Sequence, residues 1–229
     1  MKKYIITMIF VASFMTQKTH AQETGTFTDS RDGQVYKTVQ IGSQVWMAEN
    51  LAYLPSVSPP SSGSKTVIHN YVYDYDGSSV KAAKTNMNYS TYGVLYNWTS
   101  ALKACPDGWH LPSHSEWTKL ADYLGGLSVA GGKLKTISGW KEGGNGTDYC
   151  GFSGLPGGHR DSFGNNFESI RSHGHWWSAT EYTSTLARGW NVYYDSSKFY
   201  HITHFKNYGF SVRCVKIINE LHYKLFKDR

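Results

Sequence analysis

Three cysteines and ten histidines are the side chains of this 229-residue chain best equipped for chemistry. His173 and His175 alternate, and His201 and His204 recur less regularly. Alternating imidazoles on a strand can bind zinc, but no H-E-x-x-H or C-x-x-C accompanies them. They read as solvated strand histidines, and no metal site is assigned. Ser153, His159 and Asp161 supply the residue types of a nucleophilic triple, yet no G-x-S-x-G elbow is present. Carboxylates are sparse, and none forms a recognisable pair for glycoside hydrolysis. Asp29, Asp32 and Gly33 miss the EF-hand spacing and read as a turn. The glycine pairs 131–132, 143–144 and 157–158 lack the phosphate-binding pattern G-x-x-x-x-G-K-[ST]. No catalytic residue and no cofactor follows from these patterns.

Aromatic rings offer a different chemistry. Trp140, Tyr149, Trp176, Trp177, Tyr182, Trp190, Tyr193, Tyr194, Phe199, Tyr200 and Tyr208 crowd the second half of the chain. Such rings stack on sugar faces or anchor protein interfaces, and they also fill cores. Alternation along 190–195 turns Trp190, Val192 and Tyr194 inward and leaves about a third of the crowd exposed. The segment 142–166 has little periodicity and ends in polar side chains, as binding loops do. The expected site is a shallow one lined by His159, Arg160, Asp161 and Asn165, with Trp176, Trp177 or Tyr193 as stacking platform. Arg160 can grip a carboxylate through two parallel hydrogen bonds, which favours an acidic sugar or acidic peptide.

The elements that must hold such a site are readable in outline. Val94, Leu95, Trp98, Ala101, Leu102 and Cys105 recur at helical spacing and predict a helix stopped by Pro106 and Gly108. Ser113 and Glu116 form a capping box at the head of a second helix. Trp117, Leu120, Ala121 and Leu124 give that helix its apolar stripe, and Gly125-Gly126 ends it. Trp109, Leu111 and Pro112, at the corner between the two, are expected to plug the core.

Residues 28–51 read as a β-hairpin around Gly42-Ser43, with Val39 opposite Trp46 and Val35 and Ile41 on the same buried face. Residues 54–65 are rich in Pro and Ser and predict an exposed loop. Tyr71, Tyr73 and Tyr75 alternate as in a short strand, and residues 79–84 predict one helical turn. Residues 129–158 read as glycine-rich turns and loops. Strands are expected at 174–182, 187–195, 198–204 and 208–217.

Composition narrows the class. Charged residues are 17 % and aromatics 15 % of the chain, which argues against disorder and suits a strand-rich module. Lys2 and Lys3 followed by the apolar run 5–15 resemble a secretory signal, with cleavage expected after Ala21. The run is shorter than the ~20 residues that span a bilayer, so no stable membrane span is expected after cleavage. Without Lys2, Lys3 and Lys18, and without a tail at 218–229, the formal charge falls from +6 to roughly +2, with no clustered basic face for nucleic acid. Residues 22–27 read as a linker. In a secreted chain the odd cysteine count leaves one thiol over.

YGVLYNW, ACPDGWHLPSHSEW, LPGGHR, HWWSATE and YGFSVRCVK resemble, in order, motifs of the Fibrobacter succinogenes major paralogous domain, across residues 28–217. LPSHSEW and GFSVRC are also similar to motifs of formylglycine-generating-enzyme-like domains, which share the C-type-lectin-like fold. The resemblance implies an α+β domain: two helices packed on a twisted antiparallel sheet, with a long irregular loop region where ligands sit. It also implies a Cys105–Cys214 disulfide, since helix-1 and last-strand cysteines commonly pair in that fold, leaving Cys150 free. The C-x-x-x-x-C pair of the oxidases is missing. So are E-P-N and Q-P-D, and W-N-D is broken at Val192, so calcium-dependent sugar binding is not implied. The resulting expectation is a non-enzymatic binding module, extracellular, surface-attached or periplasmic, for a glycan or surface protein. An enzyme with an unrecognised site and a structural part of a surface assembly are the other two readings.

Overall fold

The computed structural model describes residues 22–163 and 166–217. The signal-like segment 1–21, Asn165 and the tail 218–229 lie outside them. In chain order the strands are β1 Thr24–Thr28, β2 Val35–Ile41, β3 Gln44–Met47, β4 Asn70–Tyr71, β5 Leu95–Tyr96, β6 Gly157–Arg160, β7 Phe167–Ile170, β8 His173–Glu181, β9 Leu186–Tyr193, β10 Tyr200–Phe205 and β11 Val215–Ile217. The helices are α1 Val80–Ala83, α2 Met87–Tyr92, α3 Trp98–Ala101, α4 His114–Tyr123 and α5 Leu127–Leu134. The architecture is mixed α+β. One sheet runs β1-β2-β3-β11, a second runs β10-β9-β8-β6-β7, and β4 pairs with β5.

The hairpin forms as its alternation dictates. Val39 faces Trp46 across β2 and β3, and Gly42 at φ 60° takes the left-handed turn position that glycine adopts without strain. Val35, expected in the core, is 51 % exposed. It pairs with Thr28 of β1 and lies beyond the last β3 partner, Met47, so nothing covers it. Residues 24–27, expected within a linker, join Thr28 in β1 because the β2 edge offers them a ladder.

The second expected helix is α4. Its Ser113 side chain accepts from the Glu116 amide while Glu116 accepts from the Ser113 amide, both arms of a capping box. The first expected helix is largely replaced. Tyr96 spends its backbone groups on Phe210, and the Asn97 side chain caps at Ser100. Helix therefore starts only at Trp98 and lasts one turn. The second long helix is instead α5, in a stretch expected to be loop. A Cβ at Gly131 would overlap the Lys198 carbonyl, and the Gly132 amide donates to Ser197. These glycines, each costing about 1 kcal/mol in a helix, admit the backbone of the β9–β10 connection.

Two cores result. Met47, Leu51, Val94, Tyr96, Trp177 and Phe210 belong to one. Trp46, Trp117, Leu120, Phe152, Trp176 and Trp190 belong to the other, beneath α4. Cys105 and Cys214 are bonded, with Cα atoms 5.8 Å apart across 109 residues, and Cys150 is a buried free thiol. Replacing both bonded cysteines with serine is expected to lower stability by about 2–4 kcal/mol, since a long unfolded-state loop is released. Urea unfolding with and without reductant checks this; equal midpoints for the variant and the parent would count against it.

Candidate functional site

The larger sheet curls. His159 on β6 and His204 on β10 are three strand positions apart, yet both rings reach Tyr208, at 5.7 and 5.3 Å between centroids. The Tyr208–Ser211 segment lies across this hollow. Gly209 bridges to Arg160, Phe210 to Tyr96 and Ser211 to Trp176. Alternation on β8, β9 and β10 turns His173, His175, Asn191, Tyr193, Tyr200 and His204 toward the same side, the register pairing His173 with Tyr193, His175 with Asn191 and Asn191 with Tyr200.

A polar chain runs across these strands. His175 Nδ1 lies 2.9 Å from Asn191 Oδ1, and Asn191 Nδ2 donates to the Tyr193 hydroxyl at 3.3 Å. His175 is 5 % exposed, stacks on Phe210, and has His159 4.8 Å away edge-on. Its Nε2 and His159 Nδ1 are buried without a hydrogen-bond partner. Burial pushes the His159 and His204 imidazoles down to about 4, and neighbouring imidazoles push the same way. His175 is driven well below the usual imidazole range by burial, then by His159, His204 and His173. The three rings are therefore neutral at physiological pH.

The expected site residues part company here. Tyr193 and His159 do face this hollow. Tyr193 is half-buried, with His173 at 4.5 Å and Tyr200 at 4.9 Å. Trp176 and Trp177 are both fully buried. The Trp176 indole donates to Asn50 Oδ1 and the Trp177 indole to the Tyr96 carbonyl. Neither presents a ring, because the curled sheet is covered on both faces. Arg160 is also fully buried. Its guanidinium donates to the carbonyls of Pro60, Asn207 and Ser62, so it ties the 54–65 loop down instead of facing solvent. Asp161 is buried and accepts from the Phe163 amide. Ser153 donates to Asp148, not to His159, which dissolves the Ser153–His159–Asp161 triple.

His175 and His204, read as solvated, form much of the hollow's floor. Their alternation was visible in the sequence; their shared hollow depends on register. His201 turns to the other side, against His114 and Trp190. Among the described residues no group of three or more His, Cys, Asp or Glu side chains is placed to hold a metal ion. Two clefts flank the β9–β10 connection. One, of about 330 Å³, is lined by Leu127, Phe199, Tyr200 and His201. The other, of about 400 Å³, is polar, with Lys135, Glu142, Asn145 and Asp195 on its walls. Lys135 donates to the Tyr193, Tyr194 and Ser196 carbonyls, which fixes the connection between them.

A family model described as the Fibrobacter succinogenes major domain matches residues 39–216. The chain belongs to that family. The match runs from within β2 to β11 and leaves out β1, so in this Fibrobacter succinogenes major domain the hollow and the disulfide both lie inside the family region. No curated protein and no solved structure matches the chain. No helix among the described residues is long and apolar enough to cross a membrane, and the disulfide suits an oxidising compartment outside the cytoplasm.

Proposed function

We propose that this Fibrobacter succinogenes major domain is a non-enzymatic, secreted or cell-surface binding module that recognises a glycan. The carrying observation is the set of partly exposed rings His173, Tyr193 and Tyr200, of which Tyr200 also lines the 330 Å³ groove. Sugars stack on such rings through their apolar faces, and neighbouring hydroxyls and imidazoles supply hydrogen bonds. The buried Arg160 offers no carboxylate clamp, so the acidic-ligand preference has no anchor there. A C-type-lectin-like chain path is consistent with the disulfide tying the segment after α3 to the one before β11. The domain reading extends over residues 28–217, with the signal cleaved after Ala21.

A glycan array probed with the purified protein tests the reading. Tyr193→Ala is expected to weaken retention of the bound glycan at least about tenfold, equivalent to about 1.4 kcal/mol. The melting temperature should stay near that of the parent. Undiminished binding would remove Tyr193 from the site. No glycan retained, but a surface protein co-purified in stoichiometric amount, would shift the reading to protein recognition.

A further inference from the structure

We propose that the imidazoles of His159, His175 and His204 form an acid-sensitive latch, which opens the Tyr208–Ser211 segment and disorders the ring set when one of them takes up a proton. The latch's action on Tyr193 rests on the binding reading above; its opening does not.

The geometry places a proton badly. His175 Nδ1 is engaged by Asn191 Oδ1, so an added proton must sit on Nε2, which is buried and has no partner. His159 lies 4.8 Å and His204 6.0 Å from that ring, and His173 lies 5.6 Å from it on the same strand. Phe210 covers it from the bridging segment. The charges acting on His175 are those of the other imidazoles, so a first proton gains no carboxylate and repels a second. Asp161 opposes the shift at His159; Asp195 opposes it and Lys141 supports it at His173. At His204 the charge partner is His159. Tyr208 lies between His159 and His204. His159 and His204 are partly exposed and His175 is buried, so a charged His175 must swing to water, and Phe210, with Tyr208 packed on it at 5.5 Å, stands in the way.

Four main-chain bonds tie the segment to β6 and β8: Arg160 N to Gly209 O, Gly209 N to Arg160 O, Ser211 N to His175 O and Trp177 N to Ser211 O, at 3.0, 2.9, 3.1 and 3.2 Å. Displacing Tyr208 breaks this set first. Asn191 carries the change onward, since it bonds His175 and Tyr193 together. The sign follows from the lowered imidazole values. Between the ordinary 6.5 and about 4 the open form binds protons and the closed form does not. Closure is thus complete above about 6.5 and is lost progressively as pH falls toward 4.

Hydrogen exchange on the full chain, corrected for intrinsic rates, tests this without any ligand. From pH 7 to pH 4.5 the Gly209 and Ser211 amides should lose at least about tenfold in protection, while the β2–β3 ladder stays within about threefold. In the His159→Gln/His204→Gln variant the loss should shrink below about threefold. Uniform loss across both regions, no loss, or equal loss in the variant overturns the latch. Should that variant fail to fold, nitrogen-15 titration of the parent decides. His159 or His204 must protonate in the interval where protection falls, and titration near 6.5 with protection intact overturns the proposal. Because glycan retention is not part of the readout, failure of the latch and failure of the binding reading are separate results.

Discussion

Trp117→Ala is expected to lower the unfolding free energy by about 3–5 kcal/mol, the range for removing a large ring from a packed core. Trp117 is fully buried on α4 and has Trp46 at 4.6 Å, Phe199 at 5.9 Å, Phe152 at 6.0 Å, and Trp176 and Trp190 each at 6.2 Å. Its indole also donates to the Trp177 carbonyl at 3.3 Å. Alanine would open a cavity that rigid neighbouring rings cannot refill, and would leave that carbonyl unpaired. A domain of this size has only about 5–15 kcal/mol of stability in total, so the variant should lose a large share of it and melt well below the parent. Urea unfolding followed by far-ultraviolet circular dichroism gives the number. A loss under about 1 kcal/mol would mean that α4 does not seal the core beneath it.

Arg160→Ala is expected to cost a similar about 3–5 kcal/mol, through a different term. The side chain contributes hydrogen bonds from a cation to three carbonyls, each worth about 1.5–3 kcal/mol, a sum that falls when water reaches the freed carbonyls of the surface loop. Tyr71 flanks the guanidinium at 5.1 Å, and the backbone at Gly63 wraps so closely that a Cβ there would meet Arg160 Nη2 at 2.7 Å. Lysine should recover little, because a single ammonium cannot span carbonyls that the planar fork reaches together. The measurement is a melting temperature together with hydrogen-exchange protection across 54–65. Both should fall, while glycan retention below the melting transition stays at the parent's level. A variant as stable as the parent but unable to bind would return Arg160 to the binding site.

Several elements were legible because their determinants are local. Ser113 and Glu116 are three residues apart, so the cap of α4 is decided within one turn. Gly42-Ser43 and the alternation of Val39, Ile41 and Trp46 specify the hairpin register within ten residues. Trp190 and Val192 turn inward by strand parity alone. The first expected helix failed for a reason local signals do not carry. Tyr96 is a ladder partner of Phe210, from the far end of the chain.

By itself, the sequence determined an α+β chain of one family, a capped α4, the hairpin and, through family resemblance, the cysteine pair. Only the tertiary structure decided which side chains face solvent at the candidate site. Parity along β8 separates Trp176 from Trp177, but it cannot say that α4 covers one face and Tyr208–Ser211 the other, burying both. Arg160 and Pro60 stand 100 residues apart, so no spacing rule reveals that the loop carbonyls consume the guanidinium. His159 and His204 converge because the sheet curls, and curl is the sum of small twists over several strands, set by packing on both faces.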